Sequence, residues 1–124
     1  MDIKEWIRNG ITEEAVKKAD EIGEKLARNG LTTSQIRNVF GEMRRIQMRG
    51  YKNEKSSFLL LKPKLAYAVK RHNNTGIKEF YNVFTDGYNA IDKKNDDAGQ
   101  KHFENFMQLL EAILAYHKYH GGKE

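Results

Sequence analysis

Four stretches of the chain, residues 13–28, 33–49, 75–91 and 97–119, place their apolar side chains three and four positions apart. That spacing gathers them on one face of an α-helix. In the first stretch the stripe is Ala15, Val16, Ala19, Ile22 and Leu26; in the second it is Ile36, Val39, Phe40, Met43 and Ile46. The third lines up Ile77, Phe80, Tyr81, Phe84, Tyr88 and Ile91. The fourth carries Phe103, Phe106, Met107, Leu110, Ile113, Leu114 and Tyr116, the widest stripe, and so predicts a central helix. A fifth helix is expected over 57–72, where Pro63 either kinks it or marks its true first turn. No run rich in Val, Ile and Thr competes as a strand, and one proline interrupts 124 residues. The expected fold is all-α, a small bundle of about five helices forming one domain over residues 1–124.

Punctuation between the stripes supports these boundaries. Arg-Asn-Gly occurs at 8–10 and at 28–30, each time followed by an aliphatic residue and Thr. Asn-Gly supplies a left-handed stop, and Thr12 and Thr32 or Thr33 cap the next helix. Thr75 is expected to cap the helix that follows "RHNN". Residues 1–11 read as a short N-terminal arm, a helical turn or docking segment anchored by Trp6 and Ile7, and residues 120–124 read as a frayed tail.

Most catalytic chemistry finds no residues to work with. The chain has no cysteine, which excludes thiol nucleophiles, disulfides and thiolate metal sites. Ser34, Ser56 and Ser57 stand at helix starts, where capping accounts for them. His117 and His120 have helical spacing but lack the third and fourth ligands that zinc requires, so surface or interfacial roles are expected. There is no glycine-rich phosphate loop and no EF-hand pattern. No enzyme activity, cofactor or metal is expected. The start lacks a signal-peptide apolar core, and no apolar run approaches the ~20 residues that span a bilayer, so a cytoplasmic setting without membrane contact is expected.

Charge is the exception to this plainness. The formal net charge is +5, yet residues 31–72 alone carry ten Lys/Arg against Glu42 and Glu54, a local +8 that leaves −3 for the rest. Such asymmetry points to a polyanion or an acidic partner surface. Arg37, Gly41, Arg44 and Met48 share one stripe of the second helix, with Arg45 and Asn38 beside it. Lys62, Lys64, Lys70 and Arg71 bracket the apolar part of "LLLKPKLAYAVKR", and the two groups form one surface if these helices are neighbours. Gly41 either opens the backbone to a close-approaching ligand or relieves a tight helix crossing. Tyr51 and Tyr67 lie within the basic segment; Tyr67 is expected to pack between helices, with base stacking the other reading. No base-reading motif is present, so nucleic-acid contacts should go to phosphate and sugar.

The segments "NGLTTSQIRNVFGEMRRI", "LKPKLAYAVKR" and "FENFMQLLEAILAYHKYHG", in that order, resemble the small helical subunit of type III-A CRISPR–Cas effector complexes, the Csm interference complex. The similarity runs from about residue 10 to 121 and departs at "AVKR", where the family would place a small residue before the arginine. The resemblance implies a non-catalytic RNA-binding subunit. Its copies stack beside the backbone subunits and line the groove that holds the guide RNA–target RNA duplex, mainly touching the target strand. The matching positions are Arg37, Arg44, Lys62, Lys64 and Arg71, with Arg45 and Arg49 flanking. The alternative is a protein-interaction module whose basic face docks on an acidic partner.

Overall fold

A computed structural model describes residues 3–124 as six α-helices: α1 (Ile3–Asn9), α2 (Glu13–Arg28), α3 (Thr33–Arg49), α4 (Lys55–His72), α5 (Thr75–Ala90) and α6 (Asp96–Tyr119). Side-chain oxygens set most of the starts. Thr12 accepts the Ala15 N–H at 3.1 Å. Thr32 forms a reciprocal capping box with Gln35, its hydroxyl accepting one N–H at 3.2 Å while the Gln35 amide oxygen accepts the Thr32 N–H at 2.9 Å. Asn74, not Thr75, caps α5 by accepting the Ile77 N–H at 2.8 Å. Thr75 is already helical, and asparagine caps at least as well as threonine. Gly10 and Gly30 hold φ of 111° and 91°, the left-handed stops expected of both Asn-Gly pairs.

Helix α6 is the axis. It packs against α1, α2 and α3, while α5 packs against α1, α2 and α4. Phe103, Phe106, Met107, Leu110 and Ile113 are all buried along it. Two glycines let neighbours come close. A Cβ on Gly87 of α5 would stand 2.3 Å from the Phe106 ring, and one on Gly23 of α2 would stand 2.7 Å from the Tyr116 Cβ.

At the two ends of the chain one expectation is extended and one corrected. The N-terminal arm is a sixth helix belonging to the core, with Trp6 and Ile7 at 3% and 0% exposure; its first two residues lie outside the described ones. Arg8 Nε donates to the Ala90 carbonyl and the Asn105 amide donates to the Ile7 carbonyl, each at 2.9 Å. Seven residues are too few for a helical period to register, which left the helical turn and the docking segment both open. Tyr51 is a core residue, its ring 5.6 Å from Phe58 and 5.7 Å from Phe103. The tail does not fray. Thr33 and Ser34 N–H groups donate to the carbonyls of Lys123 (3.0 Å) and Glu124 (2.8 Å), satisfying first-turn donors of α3 that have no partner inside the helix.

Pro63 neither starts nor breaks α4, which begins two residues earlier than expected, after Glu54 and without a side-chain cap. Proline leaves the Leu59 carbonyl without its N–H partner four residues on. The Tyr88 hydroxyl of α5 donates to that carbonyl at 3.3 Å. The same ring stacks on Phe58 at 5.1 Å.

Tyr88→Phe keeps the ring and removes only this donor. Urea unfolding should show a loss of about 1 kcal/mol, the usual net value of one hydrogen bond; an unchanged midpoint would deny the repair of the proline gap. A second prediction concerns His102, whose Nδ1 accepts the Asp92 N–H at 3.1 Å. Burial first, then the Arg8 charge, hold this histidine below its ordinary value of 6.5. The unfolded chain therefore takes up the proton first as pH falls through 6.5, and stability must drop. Thermal melts between pH 7.5 and 5.5 should fall less steeply for His102→Asn than for the native chain.

Candidate nucleic-acid interface

Helices α3 and α4 pack as neighbours, as the surface argument requires. Between them runs a groove of about 790 Å³. Helix α4 contributes no acid anywhere along its length. Its inner side buries Phe58, Leu61 and Leu65. At ~100° per residue, Leu60, Pro63, Lys64, Tyr67, Lys70 and Arg71 fall within about 120° on the opposite side, and all are exposed. Lys64, Tyr67 and Arg71 line the groove; Lys70 sits on the same outward face beside it. Tyr67 does not pack between helices but stands 68% exposed. Its position opposite the Phe58–Leu61–Leu65 stripe explains the correction.

The basic residues of α3 divide between two flanks. Arg37, Gly41 and Arg44 line a second groove of about 470 Å³ against α6, floored by Ile36, Phe40 and Leu114. Lys118 of α6 joins them there, paired with Glu124, which lines the same groove. Charge counted along residues 31–72 gave no signal for Lys118, which only the crossing of α3 and α6 brings near. Gly41 relieves no helix crossing, since a Cβ there would meet nothing within 4 Å. The surface expected to be single is two surfaces, back to back across α3.

Pairing then separates the cations. The Arg45 guanidinium donates to Glu42 and Glu54, both at 2.9 Å, and to the Ser57 hydroxyl at 3.0 Å. Arg45, first through Glu42, is shifted up, and Glu54, first through Arg45 and then Ser57, is held below the usual carboxylate range. Arg49 stands 3.7 Å from the same Glu54. Arg44 lies 3.1 Å from Glu111, with its guanidinium 5.1 Å from the centre of the Phe40 ring. Lys62 is half-buried, its ammonium 5.4 Å from the centre of the Tyr88 ring. Among the described residues no carboxylate lies within ion-pair distance of Arg37, Lys64, Lys70 or Arg71. Of the eight cations singled out by sequence, Arg44, Arg45 and Arg49 face carboxylates, Lys62 is half-buried against Tyr88, and those without an ion pair are Arg37 and, on α4, Lys64, Lys70 and Arg71.

Two of the histidines are structural, while His72 is exposed and lines the α3–α4 groove. His117 is 1% exposed, and its Nε2–H donates to the Leu31 carbonyl at 2.7 Å, so the expectation of a surface or interfacial role is corrected there. His120 faces Asp20 at 2.5 Å. Among the described residues no group of three His, Asp or Glu side chains is arranged to hold a metal ion. No helix among them is long and apolar enough to cross a membrane.

No curated protein and no solved structure matches the chain. A family model described as Csm2 Type III-A matches residues 11–123, from the residue before the α2 cap to the docked tail. The match contains α3, α4 and both grooves. The chain therefore belongs to the Csm2 type III-A family, the small structural subunit of type III-A CRISPR–Cas complexes.

Proposed function

We propose that the chain is a non-catalytic subunit that binds RNA through sequence-independent phosphate contacts, lining the groove of the effector complex that holds the guide–target duplex. The observation that carries this reading is the outer face of α4, where Lys64, Lys70 and Arg71 are exposed, unpaired and free of any acid on their own helix. Unpaired cations release counterions from phosphate without first breaking an internal ion pair. Glu42, the one carboxylate lining the groove among the described residues, is already held by Arg45. Arg37 lies apart from this face, on the other flank of α3, in a groove that also holds Glu124. The partners on this reading are the duplex, mainly its target strand, the other effector-complex subunits and neighbouring copies of the chain, in the cytoplasm. A second reading is favoured at the α3–α6 groove, whose apolar floor and paired Arg44 suit a protein surface with an acidic edge better than a phosphate chain.

Titration of single-stranded RNA against salt separates the assignments. Each phosphate contact adds roughly −0.7 to the log–log slope. Lys64→Ala and Arg71→Ala should each make the slope shallower by about that amount, alone and in the reconstituted complex. Arg45→Ala should leave the slope unchanged and lower the unfolding midpoint, because its charge is already engaged. Equal slopes for all three variants and the native chain would rule out α4 as the phosphate-binding face.

A further inference from the structure

Tyr67 is the largest exposed side chain on the acid-free face of α4, and the phosphate-binding reading gives it no task. A tyrosine at 68% exposure leaves most of its ring in water, where a lysine or glutamine would be the usual occupant of a solvated helix position. It stands three residues after Lys64 and four before Arg71, one helical turn from each, so both cations flank the ring on one side of the helix. Along the helix axis those two residues are separated by about 10 Å, at ~1.5 Å rise per residue. Stacked nucleotides of one strand advance only ~3.4 Å each. Two cations about three such steps apart can hold phosphates on either side of a nucleotide seated on the ring between them.

The opposite wall of the groove completes the site. Gln35 is committed to the Thr32 N–H and Glu42 to Arg45. Asn38, exposed on α3, makes no hydrogen bond among the described residues and presents a free amide to the groove. An amide offers both a donor and an acceptor, so it can meet the edge of any base. The groove volume, about 790 Å³, falls in the range of small-molecule sites and admits one nucleotide.

From this arrangement we infer that the α3–α4 groove captures an unpaired nucleotide, its base stacked on Tyr67, its edge against Asn38 and its flanking phosphates on Lys64 and Arg71. The inference rests on the RNA-binding reading and adds a preference to it: RNA with an unstacked base binds more tightly than uniform duplex.

The test compares two RNA duplexes that differ by one bulged 2-aminopurine, titrated with the full chain and with the reconstituted complex. The native chain should favour the bulged duplex and quench its fluorescence. Tyr67→Ala should weaken binding of the bulged RNA about tenfold, the effect of losing one base–aromatic stack, and leave the paired duplex within about twofold. Tyr67→Phe should behave as the native chain. If Tyr67→Ala weakens both RNAs equally or neither, while Lys64→Ala weakens both, the stacking site is overturned and phosphate binding stands. Loss of assembly with the other subunits in Tyr67→Ala, with RNA binding intact, would make the ring a protein contact and overturn the site. If the native chain binds neither RNA in either setting, the RNA reading fails and the site with it.

Discussion

The bundle depends on how closely α2 and α5 approach α6. Gly87 lets the Phe106 ring lie directly on the α5 backbone, and Gly23 lets α2 reach the Ile113–His117 turn of α6. With those contacts closed, the Phe103–Ile113 part of the α6 stripe is buried inside the bundle, and Leu114 is left at the edge of the α3–α6 groove. The His117 imidazole then reaches the Leu31 carbonyl in the α2–α3 joint, and the tail after α6 returns to the first turn of α3. Helix α3 is thereby held at its N-terminus by the last helix and at its C-terminal half by α4. A helix fixed at both ends is a rigid base for whatever its flanks contact.

Which cations face outward follows from the same packing. The turn between α3 and α4 brings Glu54 back onto Arg45 and Arg49, so the arginines at that end serve the joint. The C-terminal half of α4 extends away from those acids. Its last turn holds Lys70, Arg71 and His72, where positive charge also suits the carbonyl end of the helix dipole. That local explanation covers Lys70 and Arg71, but it does not reach Lys64, which lies nearer the middle of the helix.

Much of this architecture was legible in the residues. The bounds of α2 and α3 follow directly from Thr-capped apolar stripes, and the width of the α6 stripe announced its central place. Helix α1 was only partly legible: Trp6 and Ile7 marked a helical turn or docking segment, but seven residues show no period and the burial depends on contacts with Ala90 and Asn105, both more than eighty positions away. A helix running across Pro63 was one of the readings over 57–72; what the residues hid is the tyrosine hydroxyl from the next helix that takes up the carbonyl freed there. At the candidate site, counting charges found the right segment but could not tell a paired arginine from an unpaired one. Arg45 and Arg71 look alike in a list of residues; Glu54 folding back onto Arg45 makes the difference. Tyr67 was misplaced for a related reason: an aromatic among apolar neighbours reads as core until the helix is rotated correctly.

Gly41 has a consequence for how the molecule was shaped. Its φ is ordinary for a helix and its surroundings are empty, so alanine would fit without moving anything. In the middle of a helix, glycine is worth ~1 kcal/mol less than alanine. A chain optimised for folding alone would not keep it. The centre of α3 thus holds an accessible margin for thermostabilisation, and any gain in melting temperature accompanied by weaker assembly would mark Gly41 as a site where fitness favours contact over robustness.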